Sequence, residues 1–298
     1  MSMNIQKLCG WAGETEARKA MEQLGDQFPR FQIVGSTESK AGGTYRLWDF
    51  TRKVLGHDTP NYAQKTGDCV SFGAKNAIEY LACIEIVRGD QESFHPLFPP
   101  YLYYTGRVLI GNNQLRGRAG SVGSWMAKAV EKYGTIPAEL DGVPTYSGSL
   151  ADEWGDGRGE CQRWVDVGDD HLIQTTSPIR NWSELVDAIG NGYPVTIASD
   201  LGFTMKPGRD GYHEQTDTWH HQMMIHGICD GAEPWWSPLN SWGNVHGTVL
   251  DPETGEPWPA GSLKCRPEVL DRAFSRGELF AYSQFQGFPE QRLRWNFV

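Results

Sequence analysis

Residues 64–89 read QKTGDCVSFGAKNAIEYLACIEIVRG, and this stretch decides the fold. Ala74, Ala77, Ile78, Leu81 and Ile84 recur at helical spacing, which predicts a helix that opens beside Gly67-Asp68 and runs to Gly89. Cys69 then falls in the first turn. Unpaired backbone N–H groups and the positive end of the helix dipole favour a thiolate there. A cysteine so placed is by itself more often inert than reactive, so its meaning depends on what the rest of the chain brings to it.

Working outward, two further helices are expected at 122–132 and 182–189, the first closed by Tyr133-Gly134 and the second by Gly190-Asn191-Gly192, glycine being the usual left-handed stop. Upstream, ETEARKAMEQL at 14–24 is a short helix with an acidic start, set in polar, glycine-containing sequence. Residues 1–44 therefore form an N-terminal extension: an arm, a lid or a short pro-segment. The segment WDFTRKVLGHDTPNYA at 48–63 shows no sustained period and carries Pro60, which predicts a loop. Further on, β-like runs stand at 194–198, 222–228, 238–242 and 278–285. A helical first half and a β-rich second half predict an α+β protein of two packed lobes, residues 45–150 and 151–298. Residues 151–170 hold seven carboxylates at a spacing that does not fit an EF-hand, so they read as a solvated loop.

Composition excludes several classes. The 298 residues carry 27 Lys plus Arg against 37 Asp plus Glu, a formal charge of −10, with the basic residues scattered. That disfavours nucleic-acid and anionic-membrane partners. No apolar run approaches membrane-spanning length and the first residues lack a signal-peptide pattern, so a cytoplasmic protein is expected. Cys9, Cys69, Cys83, Cys161, Cys229 and Cys265 are spread without C-x-x-C pairs, as in a reduced protein whose thiols are mostly core.

The partner motif for Cys69 is WHHQMMIHG at 219–227, followed by NSWG at 240–243. In an extended strand His221, Met223 and Ile225 share one face, while His220, Gln222, Met224 and His226 share the other. A neutral imidazole can take a thiol proton, and an asparagine oxygen can hold that imidazole in one orientation. His213, His226 and Cys229 lack a second ligand pair at zinc spacing, so no metal is expected. Asn181-Trp182-Ser183 matches a glycosylation acceptor by chance.

QKTGDCVSFG, HQMMIHG and NSWG, in that order, resemble the papain-like cysteine peptidases. His221 lies 152 residues and Asn240 171 residues after Cys69, near or somewhat beyond the roughly 130–150 of papain-like chains. Weaker likeness extends through WDFTRKVLGHDTPNYAQ (48–64), AGSVGSWMAKAVEKYGTIP (119–137) and NWSELVDAIGNGYPVTIAS (181–199). The resemblance implies a helical lobe and a β-barrel-like lobe with the active site between them. It implies Cys69 as nucleophile, His221 as general base and acid, and Asn240 as the orienter of His221. Trp242 would shield that hydrogen bond, Gln64 would donate to the oxyanion, and Gly120-Ser121 would bind the substrate backbone. No cofactor is implied, the partner is a polypeptide substrate, and a phage-type member would add viral or host protein partners and a place in the virion.

The chain departs from the family pattern in places. Gln64 precedes Cys69 by five residues, one fewer than usual, and Val70 stands where an aromatic is common. Asp68 is expected to cap the helix while its charge opposes a neighbouring thiolate. A cell-wall amidase or endopeptidase, or a non-catalytic virion scaffold with this fold, are the rival readings.

Overall fold

The structure, a computed structural model, describes residues 4–36, 39–90 and 93–295. The helices are α1 (Ile5–Leu8), α2 (Glu14–Leu24), α3 (Trp48–Leu55), α4 (Cys69–Arg88), α5 (Pro99–Tyr104), α6 (Gly123–Lys132), α7 (Gly148–Gly155), α8 (Val165–Gly168), α9 (Trp182–Gly190) and α10 (Leu270–Arg276). The strands are β1 (Ile33–Val34), β2 (Thr44–Arg46), β3 (Thr175–Pro178), β4 (Val195–Phe203), β5 (Gln215–Cys229), β6 (Trp235–Leu239), β7 (Glu278–Ser283) and β8 (Phe288–Pro289). The sequence expectation of an α+β fold therefore stands. Residues 1–3 and 37–38 of the N-terminal extension lie outside the described residues.

α4 is the axis of the molecule. It is buried on every face from Cys69 to Leu81, and Gly89 closes it at φ +86° with its N–H on the Glu85 and Ile86 carbonyls. A helix apolar nearly all round must run through the core rather than along a surface, and α4 packs against β5, α3, α5 and α6. The second layer is an antiparallel sheet in the order β2-β5-β4-β7-β3, with β6 also on β5. β4 lines one edge of β5 up to Ile225, β2 continues that edge from Gly227, and β6 lies along the other. Among the described residues β2 and β3 end the path, so the barrel-like lobe expected in the β-rich half is an open sheet and not a closed barrel. The register of β4 on β5 shifts between Ser199 and Leu201 and again between Leu201 and Phe203.

Three local expectations need correction. Residues 48–55 form α3 and not a loop: Trp48, Phe50 and Thr51 turn into the core, and Gly56 caps the helix at φ +75°. Pro60 lies beyond that cap and does not interfere. The strand expected at 238–242 is β6, Trp235–Leu239, while Asn240–Gly243 is a turn with Gly243 at φ +73°. The outer side of β6 is bridged irregularly by residues 261–265, and there Pro238 takes part as an acceptor only, its carbonyl receiving the Leu263 N–H at 3.0 Å. The acidic stretch is not one loop but α7 and α8 with short 3-10 turns, anchored by Trp154, Cys161 and Trp164 in an apolar cluster. Asn181, read as a chance glycosylation match, caps α9 by accepting the Glu184 N–H at 2.9 Å.

The N-terminal segment is built into this frame. β1 pairs in parallel with β8, α2 packs on α6, and residues 8–12 cross between the two layers. No helix among the described residues is long and apolar enough to cross a membrane. All six cysteines are free thiols.

Candidate active site

Cys69 opens α4 and is fully buried. Its sulfur accepts the Gln222 N–H of β5 at 3.4 Å and the Gly10 N–H of the N-terminal segment. His221, the residue before Gln222, is also buried, and its Nε2 lies 2.9 Å from Asn240 Oδ1. The Trp242 ring covers the imidazole with centroids 4.6 Å apart and an angle of 39°. The helix thus delivers Cys69, the strand delivers His221, and the turn after β6 delivers Asn240 and Trp242.

The expected thiolate is reversed in this enclosed arrangement. Burial pushes the Cys69 thiol well above its ordinary range, and burial pulls His221 down to about 4, the Asn240 hydrogen bond opposing it in part. Desolvation outweighs the helix dipole because the charged forms of both groups lose their water. His221 Nδ1 has no hydrogen-bond partner among the described residues. The site holds a neutral thiol and a neutral imidazole.

Asp68 differs from expectation. Its side chain makes no helix-capping hydrogen bond; its backbone carbonyl accepts from Ser71 N, Phe72 N and Ser71 Oγ instead. The carboxyl accepts from Tyr146 Oη at 3.0 Å on one oxygen, the other is unpartnered, and burial raises its pKa to about 8. At neutral pH it is mostly a neutral acid, so the charge expected beside Cys69 is largely absent.

Gln64 is held from three sides. Its N–H donates to the Ser241 carbonyl at 2.9 Å and its Oε1 accepts from Ser241 Oγ at 2.5 Å, which ties it to the turn that carries Asn240. Its Nε2 donates to Thr66 O at 2.7 Å and to Leu8 O at 2.8 Å. The donor expected for an oxyanion thus meets a backbone carbonyl of the N-terminal segment.

Ser121 and Gly120 divide their tasks. Ser121 N–H donates to Gly10 O at 2.7 Å and Ser121 O accepts Ala12 N–H at 2.8 Å, a parallel bridge centred on Trp11. Trp11 N–H also donates to His220 O at 2.9 Å. Gly120 faces inward: its N–H donates to Tyr103 Oη at 2.8 Å, and its carbonyl accepts from Tyr103 and Arg107. Its contribution is close approach, since a Cβ there would stand 2.6 Å from Gly10 O. The segment lies just as tightly on the helix start, where a Cβ on Gly10 would stand 1.9 Å from Gly67 O.

Two residues escaped the sequence reading. His246 is buried, and its Nε2 lies 2.7 Å from Asn240 Nδ2. The only signal was its place on the same turn, six residues after Asn240. Arg107, buried in the π-helical continuation Thr105–Ile110 of α5, donates to carbonyls of Gly120, Leu115 and Gly155 and pairs with Asp156 at 3.1 Å. It sets the path of the Gly120-Ser121 loop. Two neighbouring histidines have ordinary partners: His226 contacts Tyr80, Ser237 and Ser262 hydroxyls, and exposed His220 sits beside Trp11.

No family model and no curated protein sequence matches the chain. Solved structures do. Xylellain, a cysteine protease from Xylella fastidiosa, aligns over 96% of this chain and 100% of its own, with TM-score 0.60 at 12% identity. ProCathepsin B S9 from Trypanosoma congolense aligns over 94% and 87%, with TM-score 0.61 at 12% identity. Digestive procathepsin L 3 from Tenebrio molitor larval midgut aligns over 85% and 73%, with TM-score 0.53 at 14% identity. On these likenesses and the helix-and-sheet arrangement above, the chain has the fold of the papain-like cysteine peptidases.

Proposed function

We propose that the chain is a papain-like cysteine peptidase in which residues 45–298 form the peptidase domain and residues 1–44 an extension that keeps the cleft closed. The observation that carries this reading is the buried His221–Asn240 hydrogen bond of 2.9 Å. It puts the proton on Nε2 and leaves Nδ1, without a partner among the described residues, as the acceptor. Gln222, the next residue, touches the Cys69 sulfur, so the acceptor and the thiol belong to one site.

Once a polypeptide substrate replaces the segment, the Cys69 sulfur attacks the scissile carbonyl carbon as its proton passes to His221 Nδ1. Gln64 Nε2 and the Cys69 N–H hold the resulting oxyanion, each worth about 3 kcal/mol if removed. His221 returns the proton to the leaving amine, a thioester remains, and water deprotonated by His221 hydrolyses it. Asn240 keeps the imidazole in register and Trp242 keeps water from their hydrogen bond. Ser121 pairs with the substrate backbone, the role it now gives to Gly10 and Ala12.

The test is labelling with an epoxide that alkylates activated thiols, read by intact mass on the wild type, Gly10→Ala, Cys69→Ala and His221→Ala. The expected result is one adduct on Cys69, slow in the wild type, faster in Gly10→Ala, and lost in the other two. No adduct in a folded Gly10→Ala chain, or an adduct on another cysteine, overturns the reading.

A further inference from the structure

Arg107 is 2% exposed, and all five N–H groups of its guanidinium meet acceptors. Nε–H donates to Gly155 O at 2.6 Å, Nη1 to Gly120 O and to Tyr103 Oη at 3.3 Å, and Nη2 to Leu115 O at 2.5 Å and to Asp156 Oδ1 at 3.1 Å. Asp156 Oδ1 also accepts the Gly117 N–H at 3.1 Å. One ion pair thus grips the loop from Leu115 to Gly120 at both ends and in the middle.

The grip on Gly120 O reaches the cleft through a single peptide group. The C=O of Gly120 and the N–H of Ser121 belong to the same trans peptide and point to opposite sides. With the oxygen drawn inward to Arg107, the Ser121 N–H faces the cleft, where it now donates to Gly10 O at 2.7 Å. Gly120 sits at φ +103°, and glycine resists a turn of that peptide so little that its orientation depends on what holds the oxygen. Tyr103 Oη lies 3.2 Å from Gly120 O and 3.3 Å from Gly67 O, with one proton for the two. Arg107 is the committed donor, and its charge polarises the peptide, which makes the opposite N–H a stronger donor.

We propose that Arg107 is a positioning residue for substrate binding, acting through the Gly120–Ser121 peptide: it aims and strengthens the N–H that meets the substrate backbone. This deepens the peptidase reading and rests on it for what takes the place of Gly10 O. Lysine at this position would keep the charge and lose the fork, since its donors all sit on one atom.

The experiment first uses the full chain, labelled with ¹⁵N, and reads the amide proton shifts of Ser121, Trp11 and Ala12. In Arg107→Lys the Ser121 amide is expected to move upfield as its bond to Gly10 O weakens. Ala12 N–H, which donates to Ser121 O on the next peptide, and Trp11 N–H, which donates to His220 O, are expected to keep their shifts. Asp156→Asn loosens the same guanidinium more gently; it is expected to move Ser121 the same way by less, and it decides the matter if Arg107→Lys misfolds. Parallel movement of all three amides, as loosening of the whole segment would give, or an unmoved Ser121 in a folded variant, overturns the proposal.

The second part opens the cleft with Gly10→Ala and with Trp11→Ala, which removes the segment's anchor, an Nε1–H donated to Glu278 Oε2 at 2.7 Å. On fluorescein-labelled casein, Arg107→Lys in that chain is expected to raise KM about tenfold and to keep kcat within about twofold, the split of a lost ground-state contact. Hydrolysis with an unchanged KM removes the positioning proposal alone. No hydrolysis of casein by the opened chain with Arg107 intact removes the peptidase reading alone, because the Ser121 shift still reports what Arg107 does to that peptide.

Discussion

Asn240 Nδ2 lies 2.7 Å from His246 Nε2, and that contact decides which way the asparagine faces. An amide nitrogen only donates, so His246 accepts on Nε2 and carries its proton on Nδ1. Asn240 Oδ1 is thereby turned toward His221 Nε2, which must donate. Burial first, then the nearby His213 and His221, draw the His246 pKa down to about 3, so the chain of contacts stays neutral across the ordinary pH range. His246 is a positioning residue acting through Asn240.

His246→Phe keeps a ring in place and removes the acceptor. A buried amide left without its partner costs about 1–3 kcal/mol, which urea unfolding would read as a lower midpoint. The positioning role predicts a second change that packing alone would not produce: ¹⁵N chemical shifts of His221 move from one tautomer toward a mixture of both. Retention of a single Nε2–H tautomer in the folded variant counts against the role.

The Gly10 contact predicts a gain. Forcing a methyl 1.9 Å from the Gly67 carbonyl oxygen cannot be relieved without moving the backbone. Such overpacking costs about 1–3 kcal/mol, enough to speed Cys69 alkylation about tenfold if the segment bears the strain. Timed iodoacetamide labelling with peptide mapping measures it. An unchanged rate would mean that strain at Gly10 does not control access to the thiol.

Much of this site was legible because its signals are local. The Cys69 helix start, the Gly89 stop and the His221 and Asn240 motifs each depend on a few consecutive residues, and backbone geometry fixed the rest. α3 was missed because its helix rests on Trp48 and Phe50 entering the core, a tertiary preference that overrides a weak period. The carboxyl state of Asp68 and the thiol state of Cys69 were misjudged because both follow from burial, which sequence position does not report. Trp11 and Glu278 are 267 residues apart, and nothing short of the folded chain relates them.

Asp68 gives a pH dependence whose sign is opposite to that of the buried histidines. Its folded pKa, about 8, exceeds the ordinary 3.8, so the native state holds the proton more tightly. That contribution is fully present below about pH 3.8 and is lost as pH rises through 8. His221 falls from 6.5 to about 4, so its contribution is present above about 6.5 and lost as pH falls through 4. Asp49 and Glu85, raised by burial to about 6 and about 7, decline in the same direction at lower pH, so Asp68→Asn is expected to remove only the part of the alkaline decline in urea midpoint centred near pH 8 and to leave the acid part. In the Gly10→Ala chain it should also raise Cys69 alkylation above pH 8, where an ionised Asp68 would oppose the thiolate, and change it little at pH 6. An equal effect at both pH values would show that Asp68 acts by shape and not by charge.

The helix that carries Cys69 also contains a buried ion pair. Lys75 Nζ lies 2.6 Å from Glu79 Oε2, one turn apart on α4, with both side chains 2% exposed. Glu79 Oε1 accepts the Leu97 N–H at 2.8 Å, and Lys75 lies over the Tyr62 ring, so the pair joins α4 to two flanking segments. Breaking it from one side strands a buried charge, and Lys75→Met is expected to cost about 3–5 kcal/mol. Replacing both residues behaves differently, because an apolar pair of similar volume avoids the desolvation of two ions. Lys75→Met with Glu79→Leu should therefore recover most of the loss, leaving about 1–3 kcal/mol for the Leu97 N–H that has lost its acceptor. Urea unfolding of the two single variants and the double variant closes the cycle. Additive losses would mean that the two charges do not support one another, and that α4 is held at this level by its apolar faces alone.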